Sequence, residues 1–184
     1  MSTLASKAQL RASFLRWALF AVPAVLLISF LVQTFTPGGP GSAWYDALVT
    51  PSFNPPPYLF GIVWPILYVL MGLALALVLS AWGARGRTAA IAAFALQFVL
   101  NLAWSPVFFA FRQIDWALYV IIALDVLVVV TIVLFWRVRI LAGLLLLPYL
   151  AWILFATALN FEFLRLNPDA SGKASDEAAQ TIEF

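Results

Sequence analysis

PPPYLFGIVWPILYVLMGLALALVLSAW, residues 55–82, decides the fold. Three prolines open it, a run that no helix interior tolerates. The stretch from Tyr58 to Trp82 then passes without one charged side chain. A helix needs about 20 apolar residues to cross a hydrocarbon core roughly 30 Å thick. This segment is therefore expected to cross a membrane.

Four more apolar stretches surround it: 17–32, 88–111, 116–136 and 140–161, of which only 116–136 holds an ionisable residue, Asp125. The chain as a whole agrees. Of 184 residues, 65% are hydrophobic and 10% charged, where a soluble domain carries about 25% charge. Mean hydropathy is +1.02, and a soluble fold this apolar would expose patches far above the tolerated size. Lipid is the solvent for most of the chain. The expected fold is an all-α membrane protein, a five-transmembrane-helix bundle (17–166), with a basic tail at 1–16 and a polar, disordered tail at 167–184.

Composition also excludes function classes. The net charge of +2 is small and the basic residues are dispersed, so no nucleic-acid partner is expected. Cys and His are both absent. That removes thiolate and imidazole chemistry, most zinc sites and Ser-His hydrolysis. No metal and no required cofactor is expected. Residues 17–32 follow Lys7, Arg11 and Arg16 as a signal peptide would, but no clear small-x-small cleavage site follows. They are read as a span.

Lys and Arg number 7 on the N-terminal side of the membrane (Lys7, Arg11, Arg16, Arg85, Arg87, Arg137, Arg139) and 3 on the other (Arg112, Arg165, Lys173). The positive-inside rule puts the N-terminus in the cytoplasm. The expected address is a bacterial cell membrane; in an outer membrane the rule would not apply. Loops two to four are short, making their helices antiparallel neighbours. The first loop, 33–57, is long and rich in Pro and Gly.

Trp17, Trp82, Trp116 and Trp136 stand at span ends, as interfacial anchors do. Trp64, Trp104 and Trp152 fall inside spans. Three such rings either pack ordinarily or form walls for a planar apolar ligand. Asn101 and Asn160 are intramembrane amides, which join helices or meet a ligand. Asp125 is the one acid in mid-span, either a proton-path or substrate group or a carboxyl bonded between helices. Gly86/Ala90 and Ala89/Ala93 are small-xxx-small pairs that allow close helix approach, read as a homodimer face on helix three or a contact inside the bundle.

Three motifs carry a resemblance. WYDALVTPSFNPPPYLFGIVWPILYVLMG (44–72), QFVLNLAWSPVFF (97–109) and PYLAWILFATALN (148–160) resemble, in order, the W-x6-P-x3-P-P…W-x3-Y-x3-G, Q-L-x-L-N-x-x-W-x-x-x-F-F and P-Y-x-x-W-x-x-F-A-x-x-L-N patterns of the tryptophan-rich sensory protein / translocator protein family, also called the peripheral benzodiazepine receptor family. The resemblance implies a five-helix bundle, usually dimeric, with a pocket capped by the first loop. It implies binding of porphyrins and haem-related tetrapyrroles, of cholesterol in some members, and of benzodiazepine-type drugs. By the same resemblance the pocket takes Trp44, Tyr45 and Pro55 from the loop, Trp64 and Tyr68 from helix two, Asn101 and Trp104 from helix three, and Trp152, Ala156 and Asn160 from helix five.

One departure counts against a sterol partner. The sterol pattern needs a tyrosine before a basic residue, yet LNFEFLR (159–165) has none and adds Glu162. The expected function is thus a membrane sensor or carrier binding a tetrapyrrole. Its alternatives are a porphyrin-degrading enzyme drawing electrons from Trp64 or Trp152, and a proton-coupled transporter using Asp125.

Overall fold

The computed structural model describes residues 6–172. Their order is α1 (Lys7–Phe35), α2 (Ala43–Asp46), α3 (Pro57–Leu79), α4 (Arg87–Ser105), a π-helical turn (Pro106–Ala110), α5 (Ile114–Val138), α6 (Ile140–Leu145) and α7 (Leu147–Leu166). Among the described residues, five helical stretches are long and apolar enough to cross a membrane: Ala8–Phe35, Pro57–Leu79, Arg87–Ala110, Ile114–Val138 and Ile140–Leu166. No strand occurs among the described residues.

The helix ends differ from those expected, and each difference has a local cause. α1 begins at Lys7 rather than Trp17, so the stretch read as a basic tail is helical from its seventh residue. Ser6 starts it with a capping box: its Oγ accepts from the Gln9 N–H (3.2 Å) while its own N–H donates to Gln9 Oε1 (2.8 Å). The fifth span is broken at Leu146 into α6 and α7, because Pro148, in the first turn of α7, has no N–H for the preceding turn. The third ends in the π turn, where Phe111 N–H reaches Pro106 O (2.9 Å). Pro106 cannot donate, and the widened turn leaves both Phe108 and Phe109 facing inward, with ring centroids 4.9 Å apart.

Packing around one glycine sets how α1 meets α3. A Cβ at Gly72 would lie 2.6 Å from Val22 Cα, far inside van der Waals contact, so the two backbones touch there. The buried core below and beside this crossing is Met71, Val78, Leu124, Phe135, Tyr149 and Ile153. Outside, the pattern inverts: Leu19, Phe20, Phe30 and Val126 are 60% or more exposed, which in water would be ruinous and in lipid is the solvated state. At the opposite end of α3 from the first loop, Arg87 caps the helix. Its Nε and Nη2 donate to the carbonyls of Val78 (3.2 Å) and Leu79 (2.8 Å), and its guanidinium lies 4.5 Å over the Trp82 ring.

Helix three's small residues divide between two environments. Ala90 is fully buried against the core, whereas Gly86 and Ala89 are exposed and Ala93 half-buried. Of these four, only Ala90 is packed inside the bundle.

The chain after α7 does not leave the fold at once. Asn167 Oδ1 accepts from Val49 N–H (2.8 Å) and its Nδ2 donates to Val49 O (3.0 Å), while Gly172 N–H donates to Arg112 O (3.2 Å). Residues 167–172 are thus held, where disorder was expected; the remainder of that tail lies outside the described residues.

Candidate functional site

The long first loop folds back over the ends of α4 and α7. Ser42 caps the short α2, accepting from Tyr45 N–H (3.3 Å) and donating to Gly38 O (2.8 Å). Asp46 Oδ1 accepts from Gly41 N–H (3.1 Å). Gly38, at φ +95°, sits against the Phe109 carbonyl, where no side chain fits. Leu48 buries itself with Phe108, Ile114 and Phe163. Burial holds the Tyr45 phenol above its ordinary range, with the Asp46 charge adding to the effect, so this hydroxyl stays neutral.

Beneath the loop lies a cavity of about 890 Å³, within the range of small-molecule sites. α1, the loop, α3, α4 with its π turn, α5 and α7 all contribute to its wall. Trp64, Trp104, Phe60, Phe108 and Phe109 supply flat aromatic surface, and among the described residues no Asp, Glu, Lys or Arg lines it. Trp64 stacks on Tyr68 at 5.3 Å and Trp104 on Phe108 at 5.2 Å.

Seven of the ten residues expected at a pocket line this one: Tyr45, Trp64, Tyr68, Asn101, Trp104, Ala156 and Asn160. Three do not. Trp44 packs behind the wall, edge-on to Phe108 at 6.0 Å. Pro55 lies between two lining residues, Asn54 and Pro57, without reaching the cavity. Trp152 is not among its lining residues. The α7 lining is Ile153, Ala156, Leu159, Asn160 and Phe163, and Trp152 stands one residue farther from the loop than the first of these. Its ring instead supports Phe60 at 5.7 Å and Phe155 at 5.5 Å, and its buried indole N–H has no acceptor. Two tryptophan walls are present rather than three, and Phe60 takes the third place.

The polar groups are ordered into two chains. Tyr68 Oη donates to Asn101 Oδ1 (3.3 Å), Asn101 Nδ2 to Tyr149 Oη (3.1 Å), and Tyr149 to Gln97 Oε1 (3.1 Å). Separately, Trp104 Nε1 donates to Asn160 Oδ1 (3.0 Å), and Asn160 Nδ2 to Ile114 O (2.9 Å). Both amides therefore join helices and face the cavity at once. Asp125 is elsewhere: it is absent from the wall and accepts from Thr157 Oγ1 (2.8 Å) across the α5–α7 contact. Glu162, which interrupts the sterol-like segment, pairs with Arg165 on its own helix.

Sequence reasoning overlooked the contribution of α1, where Ser29 and Gln33 line the cavity and Gln33 accepts from Ser105 Oγ (3.2 Å). The signal was present. Ser29 is the one polar residue in 17–32, and Gln33 follows four later, on the same helix face.

Fold and cavity together define a multi-pass helical membrane protein with an uncharged, aromatic internal chamber. Comparison with known proteins makes this specific. The TspO/MBR family model matches residues 20–166. The tryptophan-rich protein TspO of Chlorobaculum tepidum is 45% identical over 144 residues, 78% of this chain and 90% of that one. Protein CrtK of Rhodobacter capsulatus is 40% identical, covering 73% and 82% of the two chains. The human translocator protein is 39% identical, covering 67% and 74%. The chain belongs to the TspO/MBR family.

Proposed function

We propose that this protein binds a tetrapyrrole of porphyrin type inside the bundle and acts as a membrane sensor or carrier for it. The carrying observation is the chamber itself: about 890 Å³, flat aromatic walls, hydrogen-bonding amides and hydroxyls, and no charged side chain among the described residues. Such a lining favours the stacked face of a planar macrocycle over water. A charged edge has no partner there, and its desolvation without a counter-ion costs several kcal/mol, so the ligand's carboxylates lie toward the loop-side mouth. Relatives named for sensing and translocation favour a regulatory or transport role over turnover.

The test is a titration of detergent-purified protein with protoporphyrin IX, following tryptophan fluorescence. Wild type shows saturable quenching, and Trp64→Ala weakens it at least about tenfold, as loss of a stacked aromatic wall does. Trp152→Phe leaves the affinity within about twofold, because that ring is outside the chamber. Flat or non-saturable quenching of the wild type removes the tetrapyrrole reading.

A further inference from the structure

The two ends of the bundle differ in charge. Lys7, Arg11, Arg16, Arg85, Arg87, Arg137 and Arg139 all fall on the N-terminal side of the spans, and no acidic residue accompanies them. The eight acids lie elsewhere: Asp125 in mid-span, and the other seven in the first loop, at the start of α5 and from Glu162 onward. The one ion pair among the described residues, Arg165 with Glu162, belongs to the loop side. The thickness of a hydrocarbon core separates the two ends, so the loop-side acids do not neutralise the far arginines. Counter-ions for that end come from outside the chain.

Three of these cations are gathered at one place. α3 packs on α4 and α6, and α5 packs on the same two helices, which sets the α3–α4 turn beside the α5–α6 joint. Arg85 stands in the turn, Arg137 in the last turn of α5 and Arg139 in the joint. All three are exposed and have no ion-pair partner among the described residues. Arg87 differs. Its guanidinium is spent on the carbonyls of Val78 and Leu79 and on the Trp82 ring, so it holds the turn in place.

Depth decides which anion arrives. Trp82 and Trp136 are 70% and 43% exposed, at span ends, where indoles sit among lipid headgroups. Arg85 and Arg139 each follow one of these rings by three residues, and Arg137 follows Trp136 at once. The guanidiniums therefore start at the level of the lipid phosphates, and arginine presents paired N–H donors that match a phosphate.

We propose that Arg85, Arg137 and Arg139 form a seat for the phosphate of an anionic phospholipid at the N-terminal end of the bundle, with Trp82 and Trp136 against the adjoining acyl chains. A zwitterionic lipid brings its own ammonium and gains less there. Each arginine near an anionic surface is worth about fivefold in relative affinity. The seat is independent of what the chamber binds.

The chain has no Cys, so single cysteines report on each end without competition. Thr88→Cys, at an exposed position beside Arg87, carries a neutral coumarin label at this end, and Ser52→Cys, exposed in the first loop, carries it at the other. Each labelled full chain is reconstituted into phosphatidylcholine vesicles containing nitroxide-bearing phosphatidylglycerol or nitroxide-bearing phosphatidylcholine. The ratio of the two quenching constants gives the headgroup preference. At Thr88 phosphatidylglycerol is favoured, and Arg85→Gln, Arg137→Gln and Arg139→Gln each lower that preference about two- to fivefold. The triple variant brings it to within about twofold of unity. Midpoints of SDS unfolding stay at the wild-type value, because no ion pair is lost. At Ser52 phosphatidylglycerol is not favoured. An equal preference in wild type and the single variants overturns the seat, as does an equal preference at Ser52. Displacement of the nitroxide phosphatidylglycerol by millimolar glycerol 3-phosphate also overturns it, by making this a site for soluble anions. A lowered midpoint with an unchanged preference does the same, by making the arginines structural. The single variants decide the matter if the triple variant fails to fold.

Discussion

Replacing Asn160 by leucine tests whether the amide chain under Trp104 holds the bundle together. Asn160 has 1% of its surface exposed and makes two bonds, accepting from Trp104 Nε1 at 3.0 Å and donating to Ile114 O at 2.9 Å. These tie α4 and α5 to α7. Leucine keeps the branched shape but makes neither bond, leaving the Trp104 N–H unpaired, while the Ile114 carbonyl keeps its place in the α5 ladder. Interhelical bonds in membranes average about 0.6 kcal/mol and reach about 1.7, so losing two costs about 1–3 kcal/mol. Trp104→Phe keeps the aromatic wall and loses only the N–H, at about 1 kcal/mol. The assay is reversible unfolding by SDS from mixed micelles, run on both single variants and the double variant. If the bond exists as described, the double-mutant cycle closes with a coupling of about 0.6–1.7 kcal/mol. Strict additivity, with the two losses summing to within about 0.3 kcal/mol, would refute the reasoning and reduce Asn160 to a packing residue.

Other positions give sharper contrasts. Gly72→Val forces a side chain into the Val22 backbone, 2.6 Å from a new Cβ, and lowers stability by about 1–3 kcal/mol or prevents assembly; Gly61→Val, with nothing within 4 Å of its Cβ position, changes the same SDS midpoint little. Asn167→Ala removes both bonds to Val49, so limited proteolysis cuts the 36–56 loop several times faster while the SDS midpoint moves by less than about 1 kcal/mol. Asp125→Asn leaves protoporphyrin IX quenching within about twofold, because the side chain is outside the chamber and one carboxylate oxygen has no partner to lose; a tenfold weakening would place Asp125 in the binding machinery after all.

The five spans were legible because each lies between charges that cannot enter hydrocarbon. The ends were less so, since they depend on short-range bonds. Ser6 and Gln9 start α1 ten residues before its apolar run, and nothing in hydropathy marks a capping box. Pro148 could have announced the break in the fifth span, had its missing N–H been counted against the turn before it. For the site, residue type identified candidates but not their depth. Trp152 and Ile153 are neighbours in sequence, yet only Ile153 lines the chamber, while the Trp152 ring packs on Phe60 and Phe155. Ser29 escaped notice for the opposite reason, being small and common.

The clamp formed by residues 167–172 gives the end of the chain a mechanical position. Asn167 grips the first loop at Val49, and Gly172 grips the turn after the π helix at Arg112. Both contacts lie on the loop side of the bundle, so the end of α7, the first loop and the turn before α5 are tied into one unit.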